Sequence, residues 1–417
     1  MKKLFANRIS TLLNNLKGSY YYGFAAILDR LTFFLLFSAI GHLFGSQQLG
    51  SLSAALNLSN ILLLVSDIGL PVLLQKESSV KYSISELLSI SIVIKLFLSI
   101  FVFIGVIAFY CFYKQISFFS LSFYFIICIL YSLSNLILSV IIGKHKDKLY
   151  FSIYFTSRIS MLFGILALII IKNTDLIFFI IAIGGLTQLL LTLRKKFEII
   201  KFSLVTIAKI KNIIKISYPI GLGLLFVFAY DKIDVLIITI YKGTREGGTY
   251  YAAYAIMKSF TILTSFYLIK YFSHLSNYYN KDKAIYKQLV LQSLTISFVI
   301  AISLIAGFQF YSAQIIKLFF GNSFINSGPL LKILSFAIFF MIINYNLGTI
   351  LNSMDRFNAP MVGGVISLFV NVTLNLLFVP KYGYYASSYI TIVTEITMLC
   401  YYLFEFLRLY NKKILNG

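Results

Sequence analysis

The sequence predicts an all-α integral membrane protein with twelve transmembrane helices in two six-helix bundles around a central cavity. Hydrophobic residues make up 59% of the 417 positions and charged residues 12%, a balance that a soluble domain cannot bury or keep in solution. The apolar residues fall into about twelve stretches. Each is near the roughly 20 residues that a helix needs to cross a hydrocarbon core about 30 Å thick. Charged side chains inside these stretches predict the cavity, because a charge that faces lipid costs about 3 kcal/mol.

The predicted spans follow one another through most of the chain, separated by short polar loops. They cover residues 18–42, 49–73, 87–112, 118–142, 149–171, 176–193, 213–240, 249–272, 288–311, 328–351, 360–379 and 383–407. The opening MKKLFANRIS resembles the basic start of a signal peptide. We expect the first span to be retained, because Asp29 and Arg30 interrupt it and no small-residue cleavage site follows.

The basic residues predict the orientation of the chain. With the N-terminus in the cytoplasm, cytoplasmic segments hold 23 of the 36 Lys and Arg residues, and the outer loops hold six. This asymmetry follows the positive-inside rule, so we expect a multi-pass protein with both termini in the cytoplasm. The net charge of +22 therefore reflects membrane orientation and does not indicate a nucleic-acid partner.

A basic segment divides the chain into two predicted lobes, 1–193 and 216–417. The intervening residues 194–215 carry seven cations against the single acid Glu198. Their apolar residues recur at near-helical spacing, which predicts an amphipathic linker lying along the cytoplasmic lipid surface. A solvated basic loop is the alternative.

Traces of an internal repeat support the division into lobes. GSLSAALNL, starting at Gly50 of the sequence, and GTYYAAYAI, starting at Gly248, match at an offset of 198 residues. The pair Asp29 and Arg30 has a counterpart in Asp231 and Lys232 when a four-residue gap is allowed. Together these matches predict two parallel six-helix repeats, since six spans return the chain to its starting side.

Charged residues deep in the predicted spans are the candidate site. We assign substrate binding to the cations, because five deep cations against four deep acids leave an excess that an anionic substrate would satisfy. The acids are candidates for ion coupling or for ion pairing. The alternative for each cation is a structural ion pair with a neighbouring acid. The cations are Arg30, Lys95, Arg158, Lys232 and Lys258, and the acids are Asp29, Asp231, Asp234 and Glu395.

Helix geometry refines these assignments. Asp29 and Arg30 are adjacent, about 100° apart around a helix, so we expect no neutralisation within the pair, and the same argument applies to Asp231 and Lys232. Asp231 and Asp234 lie three residues apart on one face and would repel unless a cation, a proton or a lysine lies between them. Coupling-ion binding is one interpretation, and an ion-pair network that locks the bundle is the other.

A cluster of helix-breaking residues predicts a hinge in the seventh span. Pro219, Gly221 and Gly223 follow the basic segment directly. Proline removes a helical hydrogen bond and glycine weakens a helix, so a bend here could absorb motion.

No motif predicts enzymatic chemistry, a metal or a cofactor. The chain lacks a G-x-x-x-x-G-K-[ST] phosphate-binding loop, and its three histidines have no second ligand nearby in sequence. The three cysteines fall in or at the ends of spans and predict packing roles. The longest predicted outer loop, 312–327, holds no acid that could serve a polymerase or ligase.

Several segments resemble a known family. Residues 371–383, NVTLNLLFVPKYG, with YYASSYITIVTEI after them, resemble the penultimate-span signature of bacterial polysaccharide-unit flippases. These flippases are the Wzx-type branch of the multidrug/oligosaccharidyl-lipid/polysaccharide exporter superfamily. Further matches, in the family's order, are SDIGLPVLLQKE at 66–77, YDKIDVLII at 230–238 and IIKLFFGNSF at 315–324.

The resemblance implies a function and a location. It implies two six-helix lobes whose cavity opens alternately to the cytoplasm and the periplasm of a bacterial inner membrane. The implied cargo is an oligosaccharide repeat unit on undecaprenyl pyrophosphate, carried for O-antigen, lipopolysaccharide or similar synthesis. Membrane lipids, H⁺ or Na⁺, and the pathway's polymerase and chain-length proteins are the implied partners. Family members carry basic lumenal residues, for which Arg30, Lys95, Arg158 and Lys258 are the local candidates.

Two other functions remain open from the sequence. A drug/cation antiporter of the same superfamily would favour an acidic or apolar cavity, against which the excess of cations weighs. A membrane polysaccharide polymerase or ligase would need an acidic or Arg-rich outer loop, which this sequence lacks.

Overall fold

A computed structural model describes residues 2–80, 84–114, 116–196, 206–279, 281–356 and 358–415. These residues form long α-helices joined by short turns. The helices are α1 (Lys2–Asp67), α2 (Leu70–Val80), α3 (Ser85–Phe112), α4 (Phe118–Gly143), α5 (Asp147–Ile171), α6 (Asp175–Lys196), α7 (Ile207–Lys242), α8 (Thr244–Phe260), α9 (Ile262–Tyr278), α10 (Lys283–Phe320), α11 (Ser327–Ser353) and α12 (Asn358–Leu415). A short 3₁₀ turn, Asn322–Phe324, precedes α11.

Eight helices in the described residues are long and apolar enough to cross a membrane. Two of them, Tyr21–Asp67 and Asn358–Leu409, have 47 and 52 residues, more than twice the length that one crossing needs. Each contains a kink, at Gly45 and Gly383 respectively, near the boundary between two predicted spans. The all-α membrane fold is therefore confirmed, and the count of twelve spans stays a prediction.

Several helices depart from the predicted span boundaries. The span predicted over 249–272 is divided between α8 and α9 at Thr261, whose backbone N–H and hydroxyl both bond to the carbonyl of Lys258. α10 continues as helix to Phe320, nine residues beyond its predicted end. α7 begins at Ile207 and so includes the last part of the predicted linker.

Part of the predicted linker, 197–205, lies outside the described residues. In the first turns of α7, Lys209 forms an ion pair with Glu86. The nearby Ile210, Ile213 and Ile214 pack against a protein core that includes Leu88. In this part of α7 the three isoleucines are therefore covered by the apolar surface of α2 and α3. The placement of residues 194–215 along the lipid surface stays a prediction.

Two compact units make up the chain. The first contains Met1–Ala39 and Leu58–Leu222, and the second contains Ile40–Asn57 and Gly223–Gly417. Each has its own buried apolar cluster, centred on α2, α3 and α4 in the first unit and on α10, α11 and α12 in the second. The lobes predicted at 1–193 and 216–417 stay a prediction.

The second unit contains a close crossing of two helices, here named the glycine crossing. A Cβ added to Gly50 would lie 1.7 Å from the Thr244 carbonyl oxygen, and one added to Gly248 would lie 1.9 Å from the Ser46 carbonyl oxygen. Only glycine permits such a backbone approach. The four residues are related by the 198-residue offset of the repeat, so the crossing has internal two-fold symmetry.

The same offset relates the two turns that precede this crossing. Gly45 (φ 77°, ψ −174°) and Gly243 (φ 92°, ψ 168°) adopt a backbone conformation that is essentially restricted to glycine. The repeat detected in the sequence therefore corresponds to a repeated backbone feature.

Candidate functional site

α7 positions three polar side chains at the centre of the candidate site. Tyr230, Asp231 and Asp234 lie within two turns of the helix, and each reaches a different set of partners in the second unit. Because residues three apart share a helix face while adjacent residues diverge, one short segment can serve several neighbouring helices.

The Asp231 cluster consists of Asp231, Lys232, Tyr254 and Lys258. The Lys258 ammonium forms an ion pair with Asp231 Oδ1, and the Tyr254 hydroxyl donates to the same oxygen at 2.7 Å. Lys232 Nζ lies 3.4 Å from Asp231 Oδ2. The expectation that adjacent Asp231 and Lys232 cannot pair is therefore wrong, because the long lysine side chain bends back to its neighbour. Lys258 also lies over the Tyr345 ring, 5.8 Å from its centroid.

Two lysines against one carboxylate give the Asp231 cluster one positive charge in excess. The Lys232 and Lys258 side chains keep 32% and 29% of their surface, whereas Asp231 keeps 18%. The cations are thus more accessible than the acid that pairs with them. Such an arrangement can accept an anion without first breaking the ion pair.

The Asp234 cluster lies one turn further along α7. The Asp234 carboxylate accepts hydrogen bonds from Tyr250 at 2.9 Å, from Asn375 at 3.0 Å and from Thr391 at 3.2 Å. Asn375 also donates to the side-chain oxygen of Asn371 at 3.1 Å and accepts from the Ser387 hydroxyl; these two residues complete the cluster. Asp234 is 6% exposed, and no lysine or arginine in the described part of the chain forms an ion pair with it.

Glu395 on α12 is a second buried acid near α7. It accepts hydrogen bonds from the Tyr230 hydroxyl and from Asn344 Nδ2, the latter at 2.7 Å, and it is 2% exposed. Among the residues that the structure describes, it has no ion-pair partner. The repulsion expected between Asp231 and Asp234 in the absence of a cation, a proton or a lysine is relieved. Lysines neutralise Asp231, and neutral donors solvate Asp234.

Stacked tyrosines join the two clusters. Tyr250 and Tyr254, one turn apart on α8, stack with a centroid distance of 5.8 Å and an interplanar angle of 20°. Tyr250 donates to Asp234 and Tyr254 donates to Asp231. A change of charge at one carboxylate can therefore alter the hydrogen bonding of the other.

Counted together, the two clusters and Glu395 hold two cations and three carboxylates. One added cation or proton would balance them.

The first unit holds Arg158 in a closed cage. Its guanidinium contacts Asp29 Oδ1 at 2.6 Å and donates to Gln188 Oε1 at 3.3 Å. The rings of Tyr131 and Tyr154 lie 5.2 and 5.4 Å from the guanidinium carbon. Arg158 is 3% exposed, so its hydrogen-bonding capacity is already used within the protein.

Lys95 also forms a buried ion pair, with Asp67, which was not among the deep acids predicted from the sequence. Its ammonium pairs with Asp67, which accepts further hydrogen bonds from Ser132 at 2.9 and 3.1 Å. The Lys95 side chain is fully buried. Asp67 brings the deep acids to five against five deep cations, so the count of deep charges alone leaves no positive excess. Arg30 lies at the surface and has no ion pair within the described residues.

Several residues of the candidate site were not among those predicted from the sequence. Asn371 and Asn375 are spaced as i, i+4 within the NVTLN motif, and Tyr250 and Tyr254 have the same spacing on α8. Such polar pairs on one face of an apolar helix could have been found by helical periodicity. Gln188 could not, because only its contact with Arg158 marks it.

The predicted hinge residues make close contacts on α7. Gly221 lies against the backbone of Ile68 and Gly69, where an added Cβ would be 2.4 Å from the nearest atom. Gly223 lies against Met361, and the division between the two compact units falls between Leu222 and Gly223. A hinge at Pro219 to Gly223 stays a prediction.

The side chains of the candidate site indicate which kind of cation it could bind. In the described part of the chain, no three His, Cys, Asp or Glu side chains come together as a metal site would require. The Asp234 cluster instead offers one carboxylate with amide and hydroxyl oxygens, which suits a singly charged hard cation better than a transition metal.

Comparisons with known proteins agree with this architecture. The family described as polysaccharide biosynthesis protein matches residues 40–329. No curated protein has a sequence that matches this chain.

Three solved structures are similar in fold. The lipid II flippase MurJ, in an inward closed conformation, has a TM-score of 0.70 and 15% identity, with 94% of this chain and 87% of that chain covered. An inward-facing multidrug resistance MATE transporter of the MOP superfamily has a TM-score of 0.67 and 12% identity, with 94% and 96% covered. A MOP superfamily transporter from Pyrococcus furiosus has a TM-score of 0.54 and 13% identity, with 95% and 94% covered.

The resemblance drawn from the sequence motifs is thereby confirmed at the level of family and fold. The family match spans well over half of the chain. The structural likeness spans more than nine-tenths of it. This chain belongs to the polysaccharide biosynthesis protein family.

Proposed function

We propose that this chain is a flippase that moves undecaprenyl-pyrophosphate-linked oligosaccharide units from the cytoplasmic to the periplasmic leaflet by alternating access. The cargo would serve synthesis of O-antigen or a similar surface polysaccharide at a bacterial inner membrane. The observation that carries the proposal is the Asp231 cluster, a partly accessible, positively charged group inside a membrane protein of the polysaccharide family. A pyrophosphate is too polar for hydrocarbon and needs such a group to cross.

Lys232 and Lys258 are the proposed contacts for the pyrophosphate. Both keep about a third of their side-chain surface, and lysine meets a phosphate as a mobile point charge. Arg30, which is exposed in the first unit, stays a substrate-contact candidate on the sequence argument alone. Lys95 and Arg158 are left out of the proposed substrate site, because their closed ion pairs give them structural roles.

The Asp234 cluster is the proposed site of the coupling ion, H⁺ or Na⁺. A buried carboxylate without a cation is costly, and an ion or proton would neutralise it. Asp234 lies on the same segment of α7 as Asp231, which pairs with both cargo-binding lysines. Occupancy of one cluster can therefore bias the position of the other. A coupling free energy of about 1–3 kcal/mol between the two sites is typical of such linkage.

Cells that lack the protein provide the test. Wild-type protein should restore surface polysaccharide, whereas Lys258→Gln should fail and let the lipid-linked unit accumulate in the inner leaflet. Lys317→Gln, at the surface near the end of α10, removes the same charge and should restore polysaccharide fully. Normal polysaccharide with Lys258→Gln, at equal protein level, would contradict the proposal.

A drug/cation antiporter is the second candidate, favoured by the two acids, Asp234 and Glu395, that lack a basic partner within the described chain. Buried acids without counterions suit a cationic substrate. Drug tolerance of the same cells separates the two functions. Antiport predicts loss of tolerance to cationic dyes with Asp234→Asn, whereas flipping predicts a polysaccharide defect without a change in tolerance.

A further inference from the structure

A cavity of about 450 Å³ opens at one end of the second unit. It lies between the beginning of α10 and the ends of α9, α11 and α12, and its lining includes Leu291, Met354 and Leu409. A second hollow on the neighbouring face of α10 shares Lys287 and Leu291 with it. None of its lining residues belongs to the Asp231 or the Asp234 cluster, so the cavity is separate from the proposed transport site.

The cavity combines an apolar wall with two cations. Val290, Leu294 and Met354 line the inner part, whereas Lys283 and Lys287 line the part formed by the first two turns of α10. The lysines are one turn apart on one helix face, where like charges repel each other. An anion held between them would remove that repulsion.

Nothing in the described part of the chain neutralises these two lysines. The nearest acid in sequence, Asp282, caps α10 by accepting hydrogen bonds from the backbone N–H groups of Ala284 and Ile285. No carboxylate forms an ion pair with Lys283 or Lys287 among the described residues. The partial positive charge of the helix N-terminus adds to theirs.

We propose that this cavity binds an anionic glycerophospholipid of the surrounding membrane. The phosphate lies between Lys283 and Lys287, and an acyl chain fills the apolar part beside Val290 and Met354. Basic pockets between transmembrane helices recognise acidic head groups in this way. The volume lies within the range of small-molecule sites, and the combination of charge and apolar wall excludes a free phosphate as the natural occupant.

The absence of tryptophan from the sequence makes a direct binding test possible. Leu291 lines the cavity and is 55% exposed, so Leu291→Trp introduces a single fluorophore at a tolerant position. The variant is reconstituted in phosphatidylcholine vesicles that contain increasing fractions of brominated phosphatidylglycerol or brominated phosphatidylcholine. Quenching then reports which lipid occupies the cavity.

We expect half-maximal quenching at about a 30-fold lower fraction of brominated phosphatidylglycerol than of brominated phosphatidylcholine, since each lysine contributes about fivefold. Lys283→Gln with Lys287→Gln should remove most of that preference. Lys317→Gln, which removes a charge near the other end of α10, should leave it unchanged. Tryptophan emission in pure phosphatidylcholine verifies that each variant is folded alike.

Three results would overturn the proposal. Equal quenching by the two brominated lipids would show that the cavity does not select charge. A preference that survives the double lysine substitution would place the selectivity elsewhere. Stronger displacement of the quencher by a polyprenyl phosphate than by unbrominated phosphatidylglycerol would assign the cavity to the lipid carrier. The experiment measures only lipid binding, so its result supports or contradicts the lipid site whether or not the proposed transport function is correct.

Discussion

The ion pair between Lys95 and Asp67 gives the sharpest test of which deep cations are structural. Replacing Lys95 with methionine keeps the length of the side chain but removes the counterion of the Asp67 carboxylate. Within the described residues this carboxylate, which is 17% exposed, then keeps its hydrogen bonds from the Ser132 hydroxyl. Breaking a buried ion pair in this way destabilises a protein by about 3–5 kcal/mol, because the remaining charge is stranded.

The double substitution Lys95→Met with Asp67→Asn removes both charges and should recover most of that loss. Neutral replacement of a buried pair is often close to isoenergetic. The measurement is the thermal midpoint of the purified protein in detergent for the two single variants and the double variant. Lys209→Gln breaks the surface pair with Glu86, whose side chains are about half exposed, and serves as the control with an expected loss below about 1 kcal/mol.

Surface polysaccharide in cells completes this test. A structural Lys95 predicts that the double variant, once stable, supports normal polysaccharide. A double variant that is folded yet inactive would refute the reasoning and return Lys95 to the substrate-binding role that the sequence predicted. A double variant less stable than either single variant would refute the energetic argument.

Three further predictions concern other parts of the fold. Gly50→Ala should destabilise the protein severely, because its Cβ would collide with the Thr244 carbonyl at the glycine crossing; Gly307→Ala, with nothing within 4 Å, should leave the thermal midpoint unchanged or raise it. Asp234→Asn preserves the size of the side chain but removes its charge, so flipping in vesicles should lose its response to an imposed Na⁺ or proton gradient; a full response would contradict the coupling site. Arg158→Lys cannot reproduce the forked guanidinium that contacts both Asp29 and Gln188. We therefore expect a thermal midpoint lowered by the equivalent of about 1–3 kcal/mol. An unchanged midpoint would contradict the structural role of Arg158.

Hydrophobic length and periodicity were enough to predict the all-α membrane fold. They also located most helix boundaries, since the ends of α3 to α6 fall within a few residues of the predicted spans. The kinks at Gly45 and Gly383 coincide with predicted turns between spans. Both glycines have a positive φ, a backbone conformation that glycine adopts readily and that interrupts a helix. The internal repeat was visible for the same reason: Gly50 and Gly248 stand where only glycine fits.

Charge pairing could not be predicted, because it depends on which helices lie side by side. Asp29 pairs with Arg158, 129 positions away. Lys95 pairs with Asp67, the last residue of α1. Composition gave the number of deep cations but not their neutralisation. The spacing from Asp231 singled out Asp234 as a candidate, whereas its amide and hydroxyl donors required the three-dimensional structure.

Flipping of a fluorescent undecaprenyl-pyrophosphate oligosaccharide in vesicles tests the central claim most directly. We predict that the wild-type protein exposes the cargo on the opposite leaflet, and that Lys232→Gln with Lys258→Gln slows this at least about tenfold while the protein stays folded. An unchanged rate in that double variant would contradict the role of the Asp231 cluster in binding anionic cargo.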